Sequence, residues 1–253
     1  MSESAYVFGV VCEARADQQT ACVIADRVIA DCVEWAQPEV RDSLYRWCGV
    51  HPTPDNRFVR WQNVQEELSR RGLKPIMGRF GDESGKPDAL MARKALLLFR
   101  SLNHPPTAVV LVRDSDGDAS RRIGLEQVRR SYPWPFQVVI ALAEPKREAW
   151  VLSGFEPQGH EESNRLQRLS ERLSIDPLTK SHELDARKHG AKTDIKRALS
   201  ELTQDDWRRE HQCLEEASLD LLKQRGEKNG LAAFMTEVRE KLVPILKGQD
   251  IPC

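Results

Sequence analysis

The chain has 253 residues, with 38 Lys and Arg against 39 Asp and Glu, a net charge of −1, 40% hydrophobic and 30% charged residues. That length leaves room for one large domain or two modest ones, and the near-zero net charge argues against a wholly basic nucleic-acid binder. It does not argue against a nuclease, because divalent ions and local basic patches attract phosphate.

No run of eighteen apolar residues exists, which excludes a membrane-crossing helix of the usual ~18 residues or more. Met1-Ser2-Glu3-Ser4 lacks the basic start of a signal peptide. The six cysteines (Cys12, Cys22, Cys32, Cys48, Cys213, Cys253) form no CxxC pair, so reduced thiols in a cytoplasmic protein are expected rather than zinc ligands or disulfides.

In chain order, the apolar run from Tyr6 to Cys12 predicts a strand. A helix is expected over 17–35, with Ala21, Ile24, Val28, Ile29 and Val33 on one buried face. Residues 37–54 are mixed and interrupted by Pro38, Gly49, Pro52 and Pro54; Trp47 and His51 have no evident partner there. A helix is expected over 58–70, stopped by Gly72, then a short strand over 73–77 and a loop over 78–87. Pro87 suits the first turn of a helix running to about residue 102.

The run 107–112 predicts a second strand, 120–131 a basic helix, and 136–142 the last clear strand. Beyond residue 156 no strand is expected; 160–247 reads as charged helices broken at Gly190 and 226–230. Strands alternating with helices imply an α/β fold with a mainly parallel sheet covered on both faces.

The chemistry concentrates at strand ends. Asp114-Ser115-Asp116-Gly117-Asp118 follows Ala108-Val109-Val110-Leu111-Val112, and Glu13 follows the first strand with Asp17 four residues on. The C-terminal edge of a parallel sheet is where ligands bind, and carboxylates there are oxygen ligands suited to Mg²⁺. The plain alternative is a polar turn whose aspartates cap helices. Clustered carboxylates are nevertheless costly to desolvate unless a cation or basic groups compensate. Glu148 stands early in the helix expected past the last strand, where a helix dipole alone would favour an acid. Glu144 is a competing choice; Trp150 is expected to anchor the core.

Glu13 and Asp17, then Asp114-x-Asp116, then Glu148-Ala149-Trp150-Val151-Leu152 resemble, in order and strand context, the Toprim superfamily. The resemblance is to nucleases of the overcoming-lysogenization-defect type and to small Toprim-like proteins of bacterial defence loci. It spans roughly residues 5–155, with Ala14 where the family usually has Gly. It implies a three-layer Toprim-like catalytic domain over 1–155 and a helical extension over 156–253 packed on or near the active-site edge. It further implies two divalent cations, Mg²⁺ or Mn²⁺, with Glu13, Asp17 and Glu148 at one and Asp114 and Asp116 at the other. The activity implied is phosphodiester hydrolysis by an antiphage effector in the bacterial cytoplasm, with Glu13 as an alternative general acid or base.

Lys192, and after it Lys188, would supply the positive group near the scissile phosphate, although a solvated basic helix face is the plainer reading. Arg121 and Arg122, with Arg129 and Arg130, could track a nucleic-acid backbone. With no ATPase motif, regulation by a separately encoded ATPase or sensor subunit is expected; a homodimer is the other partner considered, and no membrane.

Several motifs fail. Gly81-x-x-x-Gly85-Lys86-Pro87 is one residue short of a P-loop and has Pro where Ser or Thr should bind Mg²⁺. The Asp-x-Asp-x-Asp run has Ala119 and Leu125 where a calcium loop needs Gly and Glu. No HExxH or GxSxG is present. Two rival readings stand: a phosphatase with Asp114 as nucleophile, in which Glu13 and Glu148 have no place, and a catalytically degenerate Toprim-like scaffold or sensor subunit.

Overall fold

The structure is a computed structural model that describes residues 6–51, 53, 56–73, 78–186 and 188–249. The strand expected over 73–77 lies outside these except for Leu73, as do Pro52, Pro54 and Arg187. The fold is α/β with a mainly parallel sheet and a helical C-terminal region. Among the described residues no helix is long and apolar enough to cross a membrane. The chain forms two compact units, one of residues up to Arg113 with Asp118–Ala141 and the chain from Thr236, the other of Asp114–Gly117 and Leu142–Met235.

The first unit holds the sheet. β1 (Tyr6–Cys12) pairs in parallel with β2 (Tyr45–Cys48), with β3 (Val59–Arg60) and with β6 (Ala108–Asp114), and β7 (Gln137–Ala143) completes the order β2-β1-β6-β7. Phe8, Val10, Val11, Cys12 and Ala108 to Leu111 are buried without alternation. That unbroken burial is the signature of strands covered on both faces, and it explains why the apolar runs were legible in the sequence.

Helix α1 (Arg15–Cys32) buries Ala21, Ile24, Val28 and Ile29, the expected face, and Val33 behind it. Its first turn is closed by the Ala14 N–H, which donates to Asp17 Oδ2 at 2.8 Å.

Sequence reading and structure differ in three places. The proline-broken stretch contains α2 (Arg41–Leu44) and β2, a strand of the main sheet. The single helix expected over 58–70 opens instead with β3 and a 3-10 turn (Trp61–Asn63) before α3 (Val64–Arg70). Pairing of Val59 and Arg60 with Val11 and Cys12 overrides local preference there. The loop before α4 (Ala89–Arg100) folds as a hairpin of β4 (Arg79–Phe80) and β5 (Glu83–Ser84). Helices α3, α4 and α5 (Ser120–Arg130) pack in succession.

The second unit is helical: α6 (Arg147–Ser153), α7 (His160–Leu173), α8 (Ile195–Thr203), α9 (Trp207–Glu216) and α10 (Leu219–Arg225). Asp194, Asp206 and Ser218 cap α8, α9 and α10 through their side chains. Chain breaks fall at Gly190 and between α10 and α11 (Leu231–Lys241), as expected. The chain re-enters the first unit within α11, where Glu237 pairs with Arg129, before the short α12 (Val243–Leu246).

Asp26 fixes the sheet edge. Its carboxylate on α1 accepts from Tyr45 Oη (2.8 Å), Trp47 Nε1 (2.9 Å) and Arg41 Nη1 (3.1 Å), so Trp47 does have a partner. The Phe8, Tyr45 and Trp47 rings pack around it with centroids 5.1–5.9 Å apart. Burial raises the Asp26 pKa against the opposing pull of Arg41, Trp47 and Tyr45.

Asp26→Ala leaves two inward donors unpaired and should cost about 2–4 kcal/mol in urea unfolding. The Asp26→Asn penalty should shrink as pH rises. A carboxyl whose pKa is raised by folding contributes most below its unfolded value and loses that contribution as pH climbs through its folded value. A penalty that is constant from pH 3 to 7 would refute the assignment.

Candidate functional site

In the first unit the parallel strands end in charge. β1 runs into Glu13 and β6 carries Arg113, and the Val11–Leu111 register brings these two ends level. Arg113 Nη1 donates to Glu13 Oε1, while Nη2 and Nε reach the two oxygens of Asp88 at 3.2 and 3.3 Å. Arg121 lies 3.6 Å from the same Asp88 carboxylate. The Arg113 guanidinium sits 5.5 Å from the Trp61 ring centroid, and Trp61 Nε1 donates to the Val112 carbonyl.

Asp88 adopts a left-handed backbone (φ 63°) ahead of α4, a conformation that Asp tolerates better than most residues. The charge compensation that clustered acids demand is therefore supplied here by guanidinium groups. Glu13 is half exposed and bound to Arg113; Asp17, also expected as a ligand, closes the first turn of α1.

Burial pushes the Cys12 thiol far up, as it does Cys48, to about 11. The five described cysteines are free, in keeping with reduced thiols.

In the second unit, the turn that carries Asp114 and Asp116 is laced to the segment that leads into Glu148. Ser115 N–H donates to the Ala143 carbonyl (2.8 Å) and Asp116 N–H to the Pro145 carbonyl (3.0 Å). Asp114 Oδ1 accepts from the Arg147 N–H (2.9 Å), tying the start of α6 to the end of β6. Asp116 and Gly117 take left-handed φ values of 49° and 74°, which form the tight turn.

Glu148, the next residue of α6, is 9% exposed. Its Oε2 is buried with no hydrogen-bond partner among the described residues. Oε1 lies 3.7 Å from Arg147, whose guanidinium is engaged at 2.8 Å by Glu210. A buried carboxylate oxygen left unpaired is costly, and a cation beside it would relieve that cost. Among the described residues, however, no group of three or more His, Cys, Asp or Glu side chains converges to hold a metal ion.

Helix α6 is held from behind by Asn229, which sequence reasoning missed. The fully buried Asn229 donates through Nδ2 to the Ala149 carbonyl (3.0 Å) and Ser153 Oγ (2.8 Å), with Ser181 Oγ at 3.0 Å. Its carbonyl accepts from Trp150 Nε1 (2.8 Å) and the Glu144 N–H (2.9 Å). Trp150 stacks on Phe234 at 5.3 Å and is buried, as expected of a core anchor. At the end of α6, a Cβ on Gly154 would fall 2.0 Å from the Cys213 carbonyl, so only glycine admits the close approach of α9.

The expected basic residues have varied settings. Lys188 and Lys192 are exposed, on a turn before α8 rather than on a helix face. Asp194 organises that turn by accepting from the Gly190 and Lys196 N–H groups. Arg121 is committed to Asp88 and Arg129 to Glu126 and Glu237; Arg122 is half-buried on α5 and also engaged, and Arg130 is largely exposed. The cation that most alters the picture, Arg113, lies inside the strand run, where its charge beside Asp114 was the available signal.

Compared with models of known protein families, with curated proteins and with solved structures, the chain matches none. Asn229→Ala keeps the backbone carbonyl but removes Nδ2 from the Ala149 carbonyl and the Ser153 and Ser181 hydroxyls, and Oδ1 from the Leu231 N–H, and should cost about 3 kcal/mol or more. Chemical unfolding followed by Trp fluorescence checks this; a cost below 1 kcal/mol, on the scale of one exposed hydrogen bond, would remove Asn229 as the support of the helix.

Proposed function

We propose that the chain is a divalent-metal-dependent nuclease hydrolysing phosphodiester bonds, with Asp114, Asp116 and Glu148 as metal-holding carboxylates. The observation that carries the reading is the buried, unpartnered Glu148 Oε2 on a helix tied by its first N–H to Asp114. Mg²⁺ is commonly held by one or two carboxylates with substrate phosphate oxygens and water, so a ready-made protein cage is not required. When bound, such an ion supplies Lewis-acid stabilisation of phosphoryl oxygens and acidifies a bound water.

In this reading the residues of the chain have separate tasks. Asp114 orients α6 through the Arg147 N–H, and Asn229 fixes the face that α6 turns. Glu13 and Asp17 enter only through the Toprim-like order of motifs, which implies them as metal-holding carboxylates with Glu13 as a candidate for proton transfer. Lys192, exposed on its turn, would meet phosphate charge. An antiphage effector in the bacterial cytoplasm, controlled by a separately encoded ATPase or sensor subunit and acting on DNA or RNA, completes the proposal; it rests on the Toprim-like order of motifs.

One observation favours a second reading. Arg113 already satisfies Glu13 and Asp88, as would suit a catalytically degenerate scaffold or sensor subunit.

Incubation of the purified protein with Mn²⁺ and a panel of plasmid, linear DNA and tRNA separates the two. The nuclease reading expects cleavage by the wild type and a loss of about 100-fold or more in Glu148→Gln, the several kcal/mol that a metal contributes to the transition state. It also expects Mn²⁺ to stabilise the wild type by about 1–3 kcal/mol, but not the variant. No cleavage together with no Mn²⁺ stabilisation would leave the scaffold reading.

A further inference from the structure

His51, which has no partner legible in the sequence, faces a cleft of about 220 Å³ in the first unit, lined also by Asn56, Phe58, Arg60, Asn63 and Glu67. The cleft lies past the C-terminal end of β2 and at β3, the edge of a parallel sheet where ligands collect. His51 Nε2 is 3.2 Å from Glu67 Oε2, and Glu67 Oε1 accepts from Arg70 Nη1 at 3.0 Å. Glu67 is 7% exposed and is placed by α3 between the Arg70 guanidinium and the His51 ring. The second imidazole nitrogen, Nδ1, makes no hydrogen bond to the described residues.

Gly49, Val50 and His51 are held by hydrogen bonds with other segments. Gly49 N–H donates to the Asn56 carbonyl (2.6 Å), and a Cβ on Gly49 would fall 1.8 Å from Asn56 Oδ1, so the amide of Asn56 occupies the space that glycine vacates. The same Oδ1 accepts from the His51 N–H at 3.3 Å. Arg71 Nη2 donates to the Val50 carbonyl at 3.0 Å, fixing the residue before His51. A chance surface ion pair, worth little in itself, would need no such scaffold. Arg60, exposed and paired in register with Cys12, brings a guanidinium to the rim.

We propose that this cleft is a phosphate-binding site, in which Arg60 and the imidazole of His51 hold the anion and Glu67 orients the ring. Arginine and an imidazolium are the charge-assisted donors that phosphate oxygens take. Asn56 and Asn63 add neutral amides. Glu67 would repel an anion if bare, but its two oxygens are turned to Arg70 and His51. Among the described residues the charged groups around the His51 ring are Glu67 and Arg70 from α3, Arg71 at the end of that helix and Arg60 from β3. The site needs no metal and stands apart from the nuclease reading.

The test is NMR titration of the His51 ring in the full-length protein in EDTA, with the ring signals assigned by their loss in His51→Gln. Inorganic phosphate should move them and raise the pH at which the ring titrates, because an anion beside an imidazolium favours the charged form. Arg60→Gln, at an exposed position, should weaken phosphate binding about tenfold, the loss of one charge-assisted hydrogen bond.

Short oligonucleotides with and without a 5′-phosphate identify the source. A response to the phosphorylated one assigns a nucleic-acid end, and a response to inorganic phosphate alone assigns a small phosphorylated compound. Ring signals that stay fixed at tens of millimolar phosphate, or equal affinity in Arg60→Gln, would overturn the proposal.

Discussion

A parallel sheet buried on both faces can carry charge only where its strands end, and this constraint organises the first unit. β1 and β6 are apolar along their buried lengths, so Glu13 and Arg113 appear as soon as the chain leaves the core. The same holds at the sheet edge, where Arg60 closes β3 and His51 follows β2. At these ends Glu13 and Asp88 meet Arg113, and the His51 ring meets Glu67. Burial of a lone charge within the sheet would cost more than the domain can spare, which keeps these side chains at the strand ends.

The two units treat their acids differently. In the first, guanidinium groups satisfy the carboxylates: Arg113 bridges Glu13 and Asp88, Arg41 attends Asp26, and Arg70 attends Glu67. In the second, Arg209 forms a two-pronged pair with the buried Glu162, both contacts at 2.9 Å, and Phe155 lies under the guanidinium. Glu148 is the exception, buried with one oxygen unmet. A fold that pairs its other buried acids so completely makes that oxygen the informative one.

Stability and positioning are linked through α6. The helix is short, and its seven residues could not persist alone. Its place depends on Asp114 at one end, on Asn229 along its flank and on the Gly154 contact with α9 at the other. These are backbone-directed hydrogen bonds and close approaches, which fix orientation more sharply than apolar burial does. The face bearing Glu148 is thus set by groups far from it in sequence.

Much of this was legible in the chain. Unbroken apolar runs identified β1, β6 and β7, helical periodicity identified α1, and the acids after those runs marked the strand ends, because burial on both faces leaves a compositional trace. The trace is absent in β2 and β3: Tyr45–Cys48 sits among turn formers, and Val59–Arg60 is two residues long. Their strand character comes from pairing with β1. Nor does composition say which cation meets which carboxylate. Glu13 and Arg113 are a hundred residues apart in sequence, as His51 is remote from Glu67 and Asn229 from Trp150.

Local burial patterns were enough to give the α/β class, the succession of β1, β6 and β7 along the chain and the acids at their ends. Which acids arginine neutralises, which oxygen is left unmet and what His51 faces came from the folded arrangement. Those outcomes depend on distances between segments that the chain brings together only once it is folded.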